Sequence, residues 1–460
     1  MSRQDALLLF TVGLLTRLPL VLAYPGIHGG DSVARLANSH TLVLAYQLPL
    51  PQLLVFAARG VDPDPLWTRL VFVLIGSLAP VAMAAAVAAG ASGSAGRAAG
   101  VLLALHPLIA YYSLVPYQES PMLLFLLAGA AALLRGRDGI AAIALGLACL
   151  CRYEAWIAAG LAVIARRKRP ARALLLFGSA PALWVLAWQG LSPAGTYVLD
   201  LDPAAGRLAR LPFLLDKLRE YSGDLLIAIS LPGAVLALRR PGAFRWGAAY
   251  VVLFLASVVA AGHEFPPGSG RVSERLAHVP AAALCALAGL ALGAALDAGA
   301  ASSRSVRALA VTALLAWQAL SWSRRTEALV AEANRDPSLR LAVEVARLAN
   351  GRLAPGERLA VAAPAVQAAA IEDYVRKVEA SGGDSERARG VGRELARHSP
   401  DAGRIAAHLA RPPGTVVAYG APAQLLAVFD EATDGVVLPP GAPIARFTAG
   451  ARGVAVYRAP

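Results

Sequence analysis

The apolar stretch "LACLCRYEAWIAAGLAVIARRKRP" holds two opposite charges, Arg152 and Glu154, on either side of Tyr153. Other ionisable residues of the apolar part of the chain also collect in few places. Asp31 follows Gly29-Gly30, and Glu119 precedes a long apolar run. The segment "GHEFPPGSGRVSERLAH" carries His263, Glu264, Arg271, Glu274, Arg275 and His278. Such groups have two chemistries open to them. A carboxylate can take a proton from a hydroxyl, and a guanidinium matches the oxygens of an anion with paired hydrogen bonds. Ionisable residues at membrane depth are costly and mark functional sites. Each also has a structural use. Asp31 suits the N-cap of a helix opening at "GGDSVARLA". Glu119 suits the positive end of a helix, and Arg152 with Glu154 suits an ion pair at a turn. His263 and Glu264 are adjacent and lack a clear third ligand, so no metal site is expected. Arg17, inside the first apolar run, is expected to snorkel to the headgroups.

The elements that must position these residues follow from composition. Of 460 residues, 57% are hydrophobic and 16% charged. Repeated apolar runs match the length needed to cross a bilayer, and backbone groups in lipid require helices. The net charge of +13 is assigned to basic residues at cytoplasmic helix ends. No zinc-finger spacing or aromatic RNA-binding signature points to nucleic acid. Cys149, Cys151 and Cys285 all lie in apolar segments, which argues against a disulfide framework or a thiolate metal site.

About eleven spans are expected, near residues 5–24, 66–90, 98–115, 119–134, a folded-back pair over 139–165, 173–189, 223–238, 246–262, 276–296 and 306–322. Residues 41–58 are read as short helices at the membrane surface, because Pro49 and Pro51 interrupt that run. Residues 190–222 are read as an external loop. The pair over 139–165 is forced by charge. "RGRD" precedes it and "ARRKRPAR" follows it, and both basic clusters face the cytoplasm only if the chain turns back at Arg152-Tyr153-Glu154. With this topology the N-terminus is cytoplasmic and the unusual polar residues gather on the outer side, where a reaction centre is expected. Residues 1–323 form the membrane domain. Residues 324–460 read as a small soluble α/β domain outside the membrane, with strands in "RLAVAAP", "GTVVAYG" and "GVAVYRAP" and helices in "SLRLAVEVARLAN" and "SERARGVGRELARH".

The chain resembles the GT-C class of membrane glycosyltransferases, in particular the bacterial relatives of protein O-mannosyltransferases and the lipid A aminoarabinose transferase. Four stretches carry the resemblance: "LLTRLPL" with the loop holding Asp31, "HPLIAYYSLVPYQESPMLLFLLAGAAALL", "GIAAIALGLACLCRYEAWIAAGLAVI" and "GRVSERLAHVPAAALCALAGLAL". They cover about residues 5–322. Many members carry Asp-Glu in the first loop, whereas Ser32 follows Asp31 here. The resemblance implies a polyprenyl-phosphate-linked sugar as donor, with a diphosphate-linked one as the alternative, and a lipid, glycan or protein acceptor, in contact with membrane lipids. It implies Asp31 as general base and Glu119 as a second catalytic carboxylate. Arg271, Arg275 and Arg152 would bind the donor phosphate, with Glu154, Tyr153 and His263 in support. No cofactor is expected, and a divalent metal is not predicted. Two other functions compete: a transporter or flippase of a polar lipid or saccharide, and a non-catalytic partner in envelope assembly. Transport calls for polar residues near the bilayer midplane, and the spans near 246–262, 276–296 and 306–322 hold hardly any.

Overall fold

The computed structural model describes residues 2–40, 42, 47–191, 207–261, 272–298, 301–362, 400–412, 415–432 and 436–459. They form two compact units. The first comprises the described residues of Met1–Leu20, Phe72–Leu186 and Leu199–Ala328; the second comprises those of Val21–Val71, Ala187–Val198 and Leu329–Pro460.

The helices run in the order α1 (Arg3–Leu15), α2 (Leu18–Ala23), α3 (Gly30–Ala37), α4 (Pro49–Val61), α5 (Pro65–Gly90), α6 (Gly93–Leu105), α7 (Pro107–Tyr111), α8 (Glu119–Leu134), α9 (Asp138–Cys149) and α10 (Ala155–Ala165). They continue with α11 (Pro170–Leu191), α12 (Arg210–Leu238), α13 (Pro241–Ala261), α14 (His278–Asp297), α15 (Ala301–Ala333), α16 (Pro337–Arg352) and α17 (Pro400–His408). Among the described residues, five stretches are helical, long and apolar enough to cross a bilayer: Arg3–Ala23, Pro65–Gly90, Pro170–Ala187, Arg210–Leu238 and Glu274–Asp297. Shorter apolar helices fill Gly93–Leu105, Glu119–Leu134, Asp138–Cys149, Ala155–Ala165 and Phe244–Ala260. The eleventh expected span falls inside α15.

Three expectations change. The span expected over 98–115 is two helices, because Pro107 cannot continue α6 and instead starts α7 at its first position. The loop expected over 190–222 contains a helix from Arg210, which buries Leu214, Leu218 and Tyr221 and kinks at Gly223, φ 78°. Arg17 does not snorkel; it is fully buried. Pro19 cannot extend α1, and the chain breaks at Thr16-Arg17. Arg17 fills that break. Its Nη1 donates to the carbonyls of Gly13 and Ala104, both at 2.9 Å, and its Nε donates to Ser113 Oγ at 2.7 Å.

Small residues set the helix packing of the first unit. A Cβ on Gly289 of α14 would lie 2.7 Å from the backbone N of Ala99 on α6, and Gly293 one turn later abuts Ala95 in the same way. This is the spacing that lets helix backbones approach in lipid. Gly289→Leu therefore overpacks backbone against backbone and lowers stability by about 1–3 kcal/mol. Gly247→Leu, with open space around the position, is the control. Melting curves in detergent check this, and equal midpoints for the two variants would refute it.

In the second unit a five-stranded sheet runs in the order β2-β1-β3-β5-β4, with β1 (Leu359–Ala362), β2 (Val416–Ala418), β3 (Leu425–Phe429), β4 (Ala445–Ala449) and β5 (Arg452–Arg458). β1 is parallel to β2 and β3, and β5 is antiparallel to β3 and β4. Leu359, Val361, Ala427 and Phe429 pack in one core with Leu341 and Val345 of α16 and Ile405 of α17. Ala360, Ala362, Leu426 and Val428 bury the other face. Central strands buried on both sides read as unbroken apolar runs, as "LAVA" and "LLAVF" do. The helix expected in "SERARGVGRELARH" lies outside the described residues.

His408 ties this unit together. Its Nδ1–H donates to the Arg404 carbonyl at 2.6 Å, and its Nε2 accepts the backbone N–H of Ile27 at 2.9 Å. Burial, aided by the Arg69 and Arg404 charges, pushes the imidazole down from its ordinary 6.5 to about 4. Between these values the unfolded chain binds a proton that the folded chain does not. Stability is thus complete above about pH 6.5 and declines as pH falls to about 4, by roughly 3 kcal/mol in all. Unfolding followed against pH should show this slope, flattened in His408→Asn. An unchanged slope in that variant would rule His408 out as its source.

Candidate functional site

The hairpin tip is built by three short decisions of the chain. α9 ends at Cys149, α10 starts at Ala155, and Arg166 after α10 pairs with Asp138 at the start of α9, Nη2 to Oδ1 at 2.9 Å. The pair closes the base of an antiparallel hairpin and leaves Arg152-Tyr153-Glu154 at its turn. Each arm of 12 or 11 residues rises only roughly 16–18 Å, less than the hydrocarbon thickness of about 30 Å. Trp156 fastens the turn by donating Nε1–H to the Cys149 carbonyl at 3.0 Å, and Tyr153 meets its ring edge-on at 5.2 Å.

Arg152 is buried between two carboxylates. Its Nε donates to Glu154 Oε2 at 3.0 Å, Nη2 reaches Glu154 Oε1, and Nη1 donates to Glu119 Oε1. Glu119 is the first residue of α8 and is 2% exposed. Arg275 approaches the same Glu119 oxygen, Nε at 3.6 Å, with its guanidinium 5.6 Å above the ring of Tyr117. The structure thus brings together four of the expected site residues, Glu119, Arg152, Glu154 and Arg275, with Tyr153 beside them. Arg271 and His263 lie outside the described residues. Asp31 belongs to the second unit, in the first turn of α3. It is not the N-cap. Gly29, at φ 80°, turns the chain two residues earlier and takes that place.

Several neighbours were given no role from the sequence. Glu274 starts the short 3-10 turn Glu274–Ala277 and accepts from Tyr221 Oη at 2.6 Å and Tyr112 Oη at 3.5 Å. Lys217 lies 4.0 Å from Glu274 and 2.7 Å from Glu220. His278 donates Nδ1–H to the Arg275 carbonyl at 2.6 Å. The clue for Tyr221 was the spacing of Leu214, Leu218 and Tyr221, which follows one helix face. Among the described residues, no group of three or more His, Cys, Asp or Glu is placed to hold a metal ion.

A buried arrangement of carboxylates and guanidinium groups can accept a proton and hold an anion. Neither a family model nor a curated protein matches the sequence. Among solved structures, the crystal structure of ArnT from Cupriavidus metallidurans in the apo state superimposes with a TM-score of 0.62 at 15% identity, covering 98% of this chain and 96% of that one. The chain has the ArnT fold, and the resemblance to GT-C proteins holds at the level of fold. It is a helical membrane protein with a small C-terminal sheet.

Proposed function

We propose that the protein is a membrane glycosyltransferase. It moves a sugar from a polyprenyl-phosphate donor to a lipid, glycan or protein acceptor at the outer side of the cytoplasmic membrane. The N-terminus is cytoplasmic, and residues 324–460 are extracytoplasmic. The observation that carries this reading is the buried Glu119–Arg152–Glu154 cluster with Arg275 beside it, set in a fold shared over nearly its whole length with ArnT.

In the proposed step the acceptor hydroxyl gives its proton to Asp31 and its oxygen bonds to the anomeric carbon. The bond from that carbon to the phosphate oxygen breaks, and polyprenyl phosphate leaves with the electron pair. Phosphate is a good leaving group, so cations rather than a strong acid are required. Arg271 and Arg275 take that role, their planar donors matching phosphate oxygens. Arg152 directs its donors to Glu119 and Glu154, so its part is to position Glu119. No cofactor enters the proposal.

The test is a transfer assay on protein in nanodiscs, with a panel of polyprenyl-phosphate sugars and the variants Asp31→Asn and Arg271→Ala. Release of polyprenyl phosphate from one donor, lost in both variants, supports the reading and names the sugar. Absence of turnover with every donor and acceptor offered would move the weight to transport.

A further inference from the structure

Three buried polar atoms near the hairpin tip have no hydrogen-bond partner among the described residues: Glu119 Oε2, His278 Nε2 and Tyr250 Oη. The residues are 2%, 1% and 8% exposed. Each is fixed from its other side. Arg152 holds Glu119 through Oε1. The Arg275 carbonyl accepts from His278 Nδ1 at 2.6 Å; a carbonyl can only accept, so a proton is on Nδ1, and in the neutral imidazole Nε2 then carries a lone pair. The Tyr250 ring packs 6.3 Å from Phe254, whose ring meets His278 edge-on at 6.2 Å. The charges of Arg152 and Glu154 act on both Tyr250 and His278, and that of Glu119 acts on His278 as well. All three atoms thus belong to the surroundings of one charged turn.

Buried polar groups are nearly always paired, and a site built to hydrogen-bond a hydroxyl leaves its own groups unpaired when that hydroxyl is missing. The chemistry of the three atoms selects the complement. Glu119 Oε2 and His278 Nε2 accept, so the partner must donate at two points. A phosphate diester offers only acceptors and can donate to neither atom. A prenyl tail offers neither donors nor acceptors. A polyhydroxylated ring offers O–H donors to both acceptors and an oxygen to the Tyr250 phenol. We infer that Glu119 Oε2, His278 Nε2 and Tyr250 Oη form a subsite for the hydroxyl groups of the transferred sugar. The inference rests on the glycosyltransferase reading above and adds to it two residues that touch the sugar, His278 and Tyr250.

Two substitutions each remove one of these atoms. Tyr250→Phe removes only Oη. His278→Asn retains a donor where Nδ1 stands, for the Arg275 carbonyl, and removes Nε2. Binding is measured in nanodiscs for undecaprenyl phosphate alone and for undecaprenyl phosphate bearing a hexose or a pentose. The wild type should bind at least one sugar-bearing lipid more tightly than the bare one. Each variant should lose about tenfold for that lipid, the scale of one hydrogen bond to a charged or buried partner, and nothing for the bare lipid. Equal affinity of the wild type for bare and sugar-bearing lipids would mean that the three atoms hold water, and would overturn the subsite. So would variants that weaken both lipids alike or neither. In these cases binding of undecaprenyl phosphate leaves the donor reading standing. Failure of the wild type to bind any of these lipids overturns both.

Discussion

Asp31→Asn is expected to lower sugar transfer by about 10²–10⁴-fold, the range attributable to one positioned general base, without changing the folded state. The substitution keeps size and shape and removes the negative charge, and with it the ability to take a proton. Asp31 sits in the first turn of α3, where the chain enters through Gly29 at φ 80°. That backbone geometry depends on glycine and not on the carboxylate, so the turn survives in the variant. A purely structural Asp31 predicts a change in melting with full turnover of the folded protein, since a carboxylate near a helix N-terminus stabilises the helix and takes no proton. The measurement is release of polyprenyl phosphate under single-turnover conditions, paired with a melting curve. Turnover within a few-fold of the wild type would remove Asp31 as the base and pass the role to another carboxylate, with Glu119 the first to examine.

Arg152→Ala has the other large effect, and it falls on stability. The guanidinium reaches both Glu119 and Glu154, and side-chain exposures are 7%, 2% and 19%. Removing it leaves Glu119 with the more distant Arg275, Nε at 3.6 Å, and takes from Glu154 the guanidinium that held it, in a poorly hydrated turn. Breaking a buried pair from one side costs about 3–5 kcal/mol, since the remaining charge has no compensation. Arg152→Lys should recover only part, because an ammonium cannot donate to both carboxylates in fixed planar geometry. Glu154→Gln in the Arg152→Ala background should also recover part, by removing one of the stranded charges. The non-additivity of that pair is the diagnostic quantity. Melting and size-exclusion profiles in detergent report it. An Arg152→Ala protein as stable as the wild type would mean that the cluster is hydrated and contributes nothing to folding.

The hairpin was legible in the sequence because it is a problem in electrostatics: two basic flanks and one charged centre admit few topologies. Its closing pair, Asp138 with Arg166, comes from the same two flanks. Arg17 was not legible. An arginine inside an apolar run reads alike whether it reaches for headgroups or for carbonyls. Its acceptors at Ala104 and Ser113 become available only through tertiary packing beside the break at Pro107. The helix before Gly223 was hidden by the charges of "LLDKLREYSGD", which read as loop although its apolar residues fall on one face. Tyr250 belongs to no motif, and His278 lies in the stretch "GRVSERLAHVPAAALCALAGLAL" without an assigned role. What distinguishes them is an atom with nothing to bind among its described neighbours, a property of the folded state alone.

The charges that meet at the hairpin tip have one more consequence. Two carboxyl groups, of Glu119 and Glu154, stand with two guanidinium groups, of Arg152 and Arg275, and their formal charges cancel. A membrane voltage does work on the charge it can displace, about 2.3 kcal/mol per elementary charge per 100 mV. A cluster that sums to zero and is locked by its own ion pairs gives that field little to pull on. The tip therefore keeps one arrangement in an energised and in a depolarised membrane.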